Sequence, residues 1–163
     1  MKEFVKYCLY TLLTIALFAQ CTEDVKPIPL TYWKVFTGDD HKAWSIQYLT
    51  LKQDGKEDQT FALASCEADD QYIFYANSDR QYTISNGTKK CSTDDPDVLV
   101  NDTWAFLNAT ATLTIIIPIS PFPSSPLPFF VKQVDNNTMT LQIFVDQENT
   151  ISYLVNFKAV SQN

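Results

Sequence analysis

The chain has 163 residues, of which 45% are hydrophobic and 19% charged, and its 12 Lys and Arg against 19 Asp and Glu give a formal net charge of −7. That length and apolar content suit one folded domain with its own core and exclude a disordered chain. The acidity excludes a nucleic-acid backbone as partner, and it excludes an anionic bilayer gripped by charge alone.

Met1 to Gln20 predicts a cleavable signal peptide. Lys2 and Lys6 supply the positive start, and Cys8 to Ala19 is an uncharged, mostly apolar run of signal length. A permanent span needs about 20 apolar residues, and charge resumes at Glu23. The run ends in Leu17-Phe18-Ala19-Gln20-Cys21, which resembles a lipobox and makes Cys21 the expected lipidation site; Gln20 stands where a small residue is usual. An ordinary secretory signal that leaves Cys21 a free thiol is the alternative. Acyl chains anchor a protein because each buried CH₂ adds about 0.8 kcal/mol, so the expected partner is a membrane held through the Cys21 lipid. The acidic pair Glu23-Asp24 resembles a surface-export signal, with a solvated tether as the plainer reading. The expected location is therefore the outer membrane or the cell surface. The expected organisation is a signal peptide over 1–20, a tether over 21–40 kept extended by Pro27 and Pro29, and a β domain over 41–163. Whether Tyr32 to Phe36 pairs with that domain or belongs to the tether is open from sequence.

Beyond the tether, side chains alternate between apolar and polar. Ala43 to Leu49 reads as a first strand and Asp70 to Ala76 as a second, with Tyr72 and Phe74 on one face. Gln81 to Asn86 follows, and Asn86-Gly87 has the form of a hairpin turn leading to a short pairing near Cys91. Asp102 to Asn108 and Thr110 to Ile117 read as two more strands joined by a tight turn at Asn108-Ala109. Phe129 to Val134 is the next, and Asp135-Asn136-Asn137 is a turn cluster. Thr138 to Asp146 aligns Met139, Leu141, Ile143 and Val145, and the last strand aligns Ile151, Tyr153, Val155 and Phe157. Gln59 to Ala68 is the one stretch expected to be helical. Pro118 to Pro128, with five prolines, reads as a stiff connection at a rim. The sum is an all-β fold, an antiparallel up-and-down barrel of about eight strands with one short helix.

Cys66 and Cys91 are left as a pair once Cys8 departs with the signal and Cys21 takes lipid, so an exported domain is expected to join them. The loop they close is worth roughly 3.5 kcal/mol in the chain-entropy model. A zinc or redox site at these cysteines lacks further ligands, because His41 is the only histidine and no Cys-x-x-Cys is present.

The stretch from Trp44 to Phe157 resembles the lipocalin-like domain of Gram-negative envelope lipoproteins. The match is carried by Trp44, by Cys66 with Asp69-Asp70-Gln71-Tyr72-Ile73-Phe74, and by Tyr82, Cys91 and Trp104. Asn137 to Leu141 and the closing Tyr153 to Phe157 complete it. The turn Asn77-Ser78-Asp79-Arg80 departs from the family in lacking a glycine, and the proline segment is longer. The resemblance implies an up-and-down barrel and no settled activity.

Catalytic chemistry finds little support. A Ser or Cys nucleophile usually needs a histidine base, and His41 lies in the charged run Gly38 to Lys42, where a solvated loop residue is expected. The three glycines are scattered, so no phosphate loop is present. The carboxylates Glu67, Asp69 and Asp70 near one cysteine and Asp94, Asp95 and Asp97 after the other offer oxygen ligands for calcium, but without EF-hand spacing. A solvated rim is the plainer reading, with Asp70 holding turn N–H groups. The expectation is a non-enzyme without cofactor.

Two functions remain. In the first, the barrel binds a small apolar or amphipathic ligand among inward-facing Trp44, Tyr72, Phe74 and Tyr82. Trp104, Phe106, Tyr153 and Phe157 extend that candidate interior. In the second, the rings fill the barrel, and its loops contact a surface protein or glycan, with the proline segment and Phe122, Leu127, Phe129 and Phe130 as the expected patch. Interior volume separates the two, because a connected apolar cavity above roughly 300 Å³ is what a ligand needs.

Overall fold

A computed structural model describes residues 32–160. The expected signal peptide and Cys21 lie outside these residues. Helix α1 (Tyr32–Thr37) is followed by ten strands: β1 (His41–Gln53), β2 (Gln59–Ala62), β3 (Gln71–Tyr75), β4 (Gln81–Ser85) and β5 (Val98–Thr103), then β6 (Ala105–Leu107), β7 (Thr112–Ile115), β8 (Leu127–Val134), β9 (Thr138–Phe144) and β10 (Ile151–Ala159). All belong to one sheet of order β5-β4-β3-β1-β10-β9-β8-β7-β6, with β2 on β1. Every pairing is antiparallel.

The two ends of this order, β5 and β6, are consecutive in the chain and meet at Trp104. They are one bent strand whose first half pairs with β4 and whose second half pairs with β7. The sheet is thereby a nearly closed barrel. Across the seam, the Tyr82 hydroxyl donates to the Ile116 carbonyl at 2.9 Å. Trp104 is fixed at the bend, its backbone N–H donating to Arg80 O at 2.8 Å and its indole N–H to Tyr75 O at 3.0 Å.

Alternation predicts most inward faces correctly. Tyr72 and Phe74, Tyr82 and Ile84, Leu113 and Ile115, Met139 and Leu141, and Val155 and Phe157 are all buried. On β1 the register slips between Ile46 and Tyr48. Strict alternation would turn Tyr48 inward, but the bulge at Gln47 leaves Tyr48 42% exposed and buries Leu49. Val145 is likewise exposed, because β9 ends at Phe144 and Val145 begins the turn.

Several expectations are corrected. Gln59 to Ala68 is not helical: Gln59–Ala62 pairs with β1 and turns follow. The helix lies instead at Tyr32–Thr37. β4 pairs not with a strand near Cys91 but with β5, which starts earlier than the alternation around Trp104 suggested. Gly87 sits in a loop rather than a two-residue hairpin, and a Cβ there would overlap the Asp69 carboxylate.

Both ends of the barrel are plugged. At the end formed by the start of β1 and the close of β10, α1 inserts Phe36, which meets the rings of Phe74, Trp104 and Phe106 edge-on at 5.6, 5.2 and 5.6 Å. The C-terminal carbonyls of α1 are captured by β1: Trp44 Nε1 donates to Phe36 O at 2.9 Å and Lys42 Nζ to Val35 O at 3.0 Å. Gly38 ends the helix at φ 65°, its N–H donating to Lys34 O at 2.9 Å. At the opposite end the proline segment folds inward and buries Ile117, Ile119 and Phe122.

Candidate functional site

The ring side chains expected to line a ligand chamber pack against one another instead. Trp44, Tyr72, Phe74, Tyr82 and Phe157 are essentially inaccessible. Tyr72 meets Phe157 edge-on at 5.4 Å, and Phe74 lies 4.9 Å from Tyr82. Packing of this kind leaves no room for a guest. Phe106 and Tyr153 are half-buried, the first under α1 and the second 5.6 Å from Phe122.

The proline segment keeps Pro121, Pro123, Pro126 and Pro128 exposed, but its rings do not form the apolar patch that its composition suggested. Phe122 and Phe129 are buried and meet edge-on at 5.8 Å, so these rings cap the core. Of Phe122, Leu127, Phe129 and Phe130 only Phe130 stands exposed, against Phe144 at 6.1 Å.

Cys66 and Cys91 are joined, with Cα atoms 5.0 Å apart. The neighbouring carboxylates hold backbone rather than form an open ligand set. Asp69 Oδ2 accepts from the N–H groups of Thr88 and Lys89 and from the Thr88 hydroxyl. Burial opposes its charge, but these donors prevail and hold Asp69 below the usual carboxylate range. Asp70 accepts from Gly87 N–H at 2.9 Å, the structural role expected of it. Burial pushes Asp70 upward, helped by the charges of Asp69, Glu67 and Asp95. Asp95 accepts from Ser92 N–H, and Asp97 pairs with Lys90 at 2.7 Å. Among the described residues no group of three or more His, Cys, Asp or Glu side chains is placed to hold a metal. His41 opens β1, 2.8 Å from Asp40 and 5.5 Å from the Tyr75 ring.

Space for a ligand lies at the rims. A cleft of about 270 Å³ runs between Leu49, Phe61 and Tyr153 and the proline segment. A shallow groove of about 720 Å³ lies over Gly38 to Lys42 and the end of β10. The third cleft, of about 380 Å³, lies beside α1. None of the three has Trp44, Tyr72, Phe74, Tyr82 or Phe157 in its wall.

The cleft beside α1 is the most chemically specific. Trp33 from α1, Trp104 at the strand bend and Phe106 from β6 give it aromatic walls. The turn between β3 and β4 contributes Asn77, Ser78 and Arg80, and the turn after β6 contributes Asn108. Asn77 O accepts from Arg80 N–H at 3.1 Å, and its side-chain Oδ1 accepts from Gln81 N–H at 3.0 Å. Arg80 takes φ 52°, a left-handed position that glycine adopts without strain. A side chain there costs about 1 kcal/mol. The guanidinium lies over the Trp104 ring, 5.3 Å from its centroid.

Sequence reasoning named Trp104 and Phe106 as residues of the barrel interior, not of a rim cleft, and did not single out Trp33, Asn77, Arg80 or Asn108. One signal was available: Arg80 is the only arginine in the chain. Another was Trp33 and Phe36, three apart and followed by Gly38, the spacing of a short capped helix. No protein-family model matches the chain, and no curated protein is significantly similar to it.

Proposed function

We propose that this protein is an exported lipoprotein, held in the outer membrane or at the cell surface by lipid on Cys21, whose lipocalin-like barrel is a filled scaffold that contacts a surface protein or glycan through its rim. The observation that carries the reading is the plugged interior: Phe36 enters from one end, Ile117, Ile119 and Phe122 from the other, and the rings between them are buried. A transport barrel needs an emptied centre. Here the accessible chemistry is at the rim, where aromatic faces and amide groups stand together.

Two measurements test it. Native mass spectrometry of the full chain, extracted gently from membranes, is expected to give the lipidated mass with no further bound molecule. A stoichiometric fatty acid or phospholipid released by mild denaturation overturns the filled-scaffold reading. Separately, Cys21→Ser is expected to move the protein from the membrane to the soluble fraction. Unchanged membrane retention overturns the anchor.

A further inference from the structure

We infer that the cleft beside α1 binds an acidic sugar, a pyranose ring bearing one carboxylate, with Arg80 as the residue that takes the acid group. The inference rests on the filled-barrel reading and deepens it. Three observations converge on the ligand class.

The first is the position of Arg80. The chain spends its single arginine at a left-handed turn position where glycine is free of strain. Strain kept at a cleft mouth points to what the side chain does there. Among the described residues no carboxylate pairs with Arg80; its charge rests over the Trp104 ring. A guanidinium presents a planar fork of donors that fits a carboxylate with two parallel hydrogen bonds.

The second is the wall. Trp104, buried with its indole N–H on Tyr75 O and its ring beneath Arg80, forms the floor of the cleft. Trp33 and Phe106 are half-buried beside it. Ring faces of this kind pack against the C–H face of a sugar. Asn77 and Asn108 add amides, which carry both donors and an acceptor and so match hydroxyl groups. Asn77 Oδ1 is already engaged by Gln81, while its NH₂ makes no hydrogen bond among the described residues.

The third is charge. The protein as a whole is acidic and repels polyanions. The cleft is locally the reverse: Arg80 lines it, the Lys34 ammonium lies 5.7 Å from the Trp33 ring, and no carboxylate contributes to its wall. Asp79, in the same turn, accepts from the Ser78 hydroxyl at 3.4 Å. The volume, about 380 Å³, accommodates one or two sugar rings.

The test is a titration of the full chain in detergent micelles. The probes are trisaccharides ending in glucuronate, galacturonate or N-acetylneuraminate, with the matched glucose- and galactose-ended trisaccharides. The indole N–H resonances of Trp33, Trp104 and Trp44 report. At least one acidic probe is expected to shift Trp33 and Trp104 saturably while Trp44 stays still, with the neutral counterparts weaker by about tenfold or more. Arg80→Gly relieves the left-handed strain and so keeps the fold; it is expected to lose about tenfold in affinity for the acidic probe. Arg80→Lys keeps the charge without the fork and is expected to fall between. No response to any acidic probe, equal binding of neutral and acidic probes, or full affinity in Arg80→Gly overturns the inference. Decanoate, titrated alongside, separates this failure from that of the filled-barrel reading: a saturable shift of Trp44 by decanoate overturns both.

Discussion

Replacing Phe36 by Ala measures how far the interior depends on its plug. The Phe36 side chain is inaccessible to solvent and meets three aromatic rings edge-on. Deleting a buried phenyl ring costs about 3–5 kcal/mol, and edge-to-face pairs add about 0.5–1.5 kcal/mol each beyond area. The upper part of that range is not reached here. A six-residue helix has no stability of its own, so α1 peels away once its docking energy is exhausted. We therefore expect a loss of about 3–4 kcal/mol, a fall in melting temperature of roughly 10–20 °C for a domain of this size. Detachment has a local signature as well. The Gly38 amide, bonded to Lys34 O, is expected to exchange its proton at the rate of an open chain. Phe36→Leu, which keeps most of the apolar contact, is expected to lose less than half as much stability. A loss below about 1 kcal/mol in Phe36→Ala, with Gly38 still protected, refutes the plug.

Two tyrosines make a matched pair with opposite expectations. Tyr82→Phe removes the seam hydrogen bond to Ile116 O and is expected to cost about 1 kcal/mol, whereas Tyr72→Phe removes a buried hydroxyl with no partner among the described residues and is expected to be neutral or stabilising by about 1 kcal/mol; denaturant melts of the two variants decide it. Acid is expected to weaken the fold. Asp135 is held at about 2 by the Asn137 N–H, the Thr138 hydroxyl and the Thr138 N–H. Asp69 and Asp146 are lowered because turn and Thr hydroxyl donors outweigh burial, and Asp97 is lowered by Lys90. Their contribution is whole above about pH 4, the unfolded value, and disappears as pH falls through the lowered folded values. Asp70, raised by burial, has the opposite sign and recovers stability on protonation. With four lowered groups against one raised, melting temperature is expected to fall from pH 4 to pH 2, and Asp135→Asn to flatten that fall; a melting temperature constant over the range refutes the assignment. Asp70→Asn retains an acceptor for Gly87 N–H without burying charge, so at pH 7 it is expected to match or exceed the stability of the unaltered protein, while Asp70→Ala loses about 1 kcal/mol or more.

Features that depend on neighbouring residues and on composition were legible in the chain before it folds. The two-residue period of Met139, Leu141 and Ile143 places them inward in any half-buried strand, and they are buried. Two cysteines left for an oxidising compartment were expected to pair, and they do. Turn carboxylates such as Asp135 act within three residues of their own position, so they too were legible.

Other features were not legible, because they depend on groups that the fold brings together from far along the chain. Whether Trp44, Tyr72 and Phe157 surround a chamber or a solid core turns on Phe36, carried by a helix too short to be secured by its own propensity and held by the β1 side chains Trp44 and Lys42, which donate to its carbonyls. The prolines from 118 to 128 look like an exposed rim in sequence, yet the apolar residues within and beside them find burial only once the barrel end exists to receive them. The bulge at Gln47, which reverses Tyr48 and Leu49, comes from fitting one long strand to β10 on one edge and to β3 and β2 on the other. Arg80 acquires its place over Trp104 by a contact between residues 24 apart in the chain, brought together where the barrel closes.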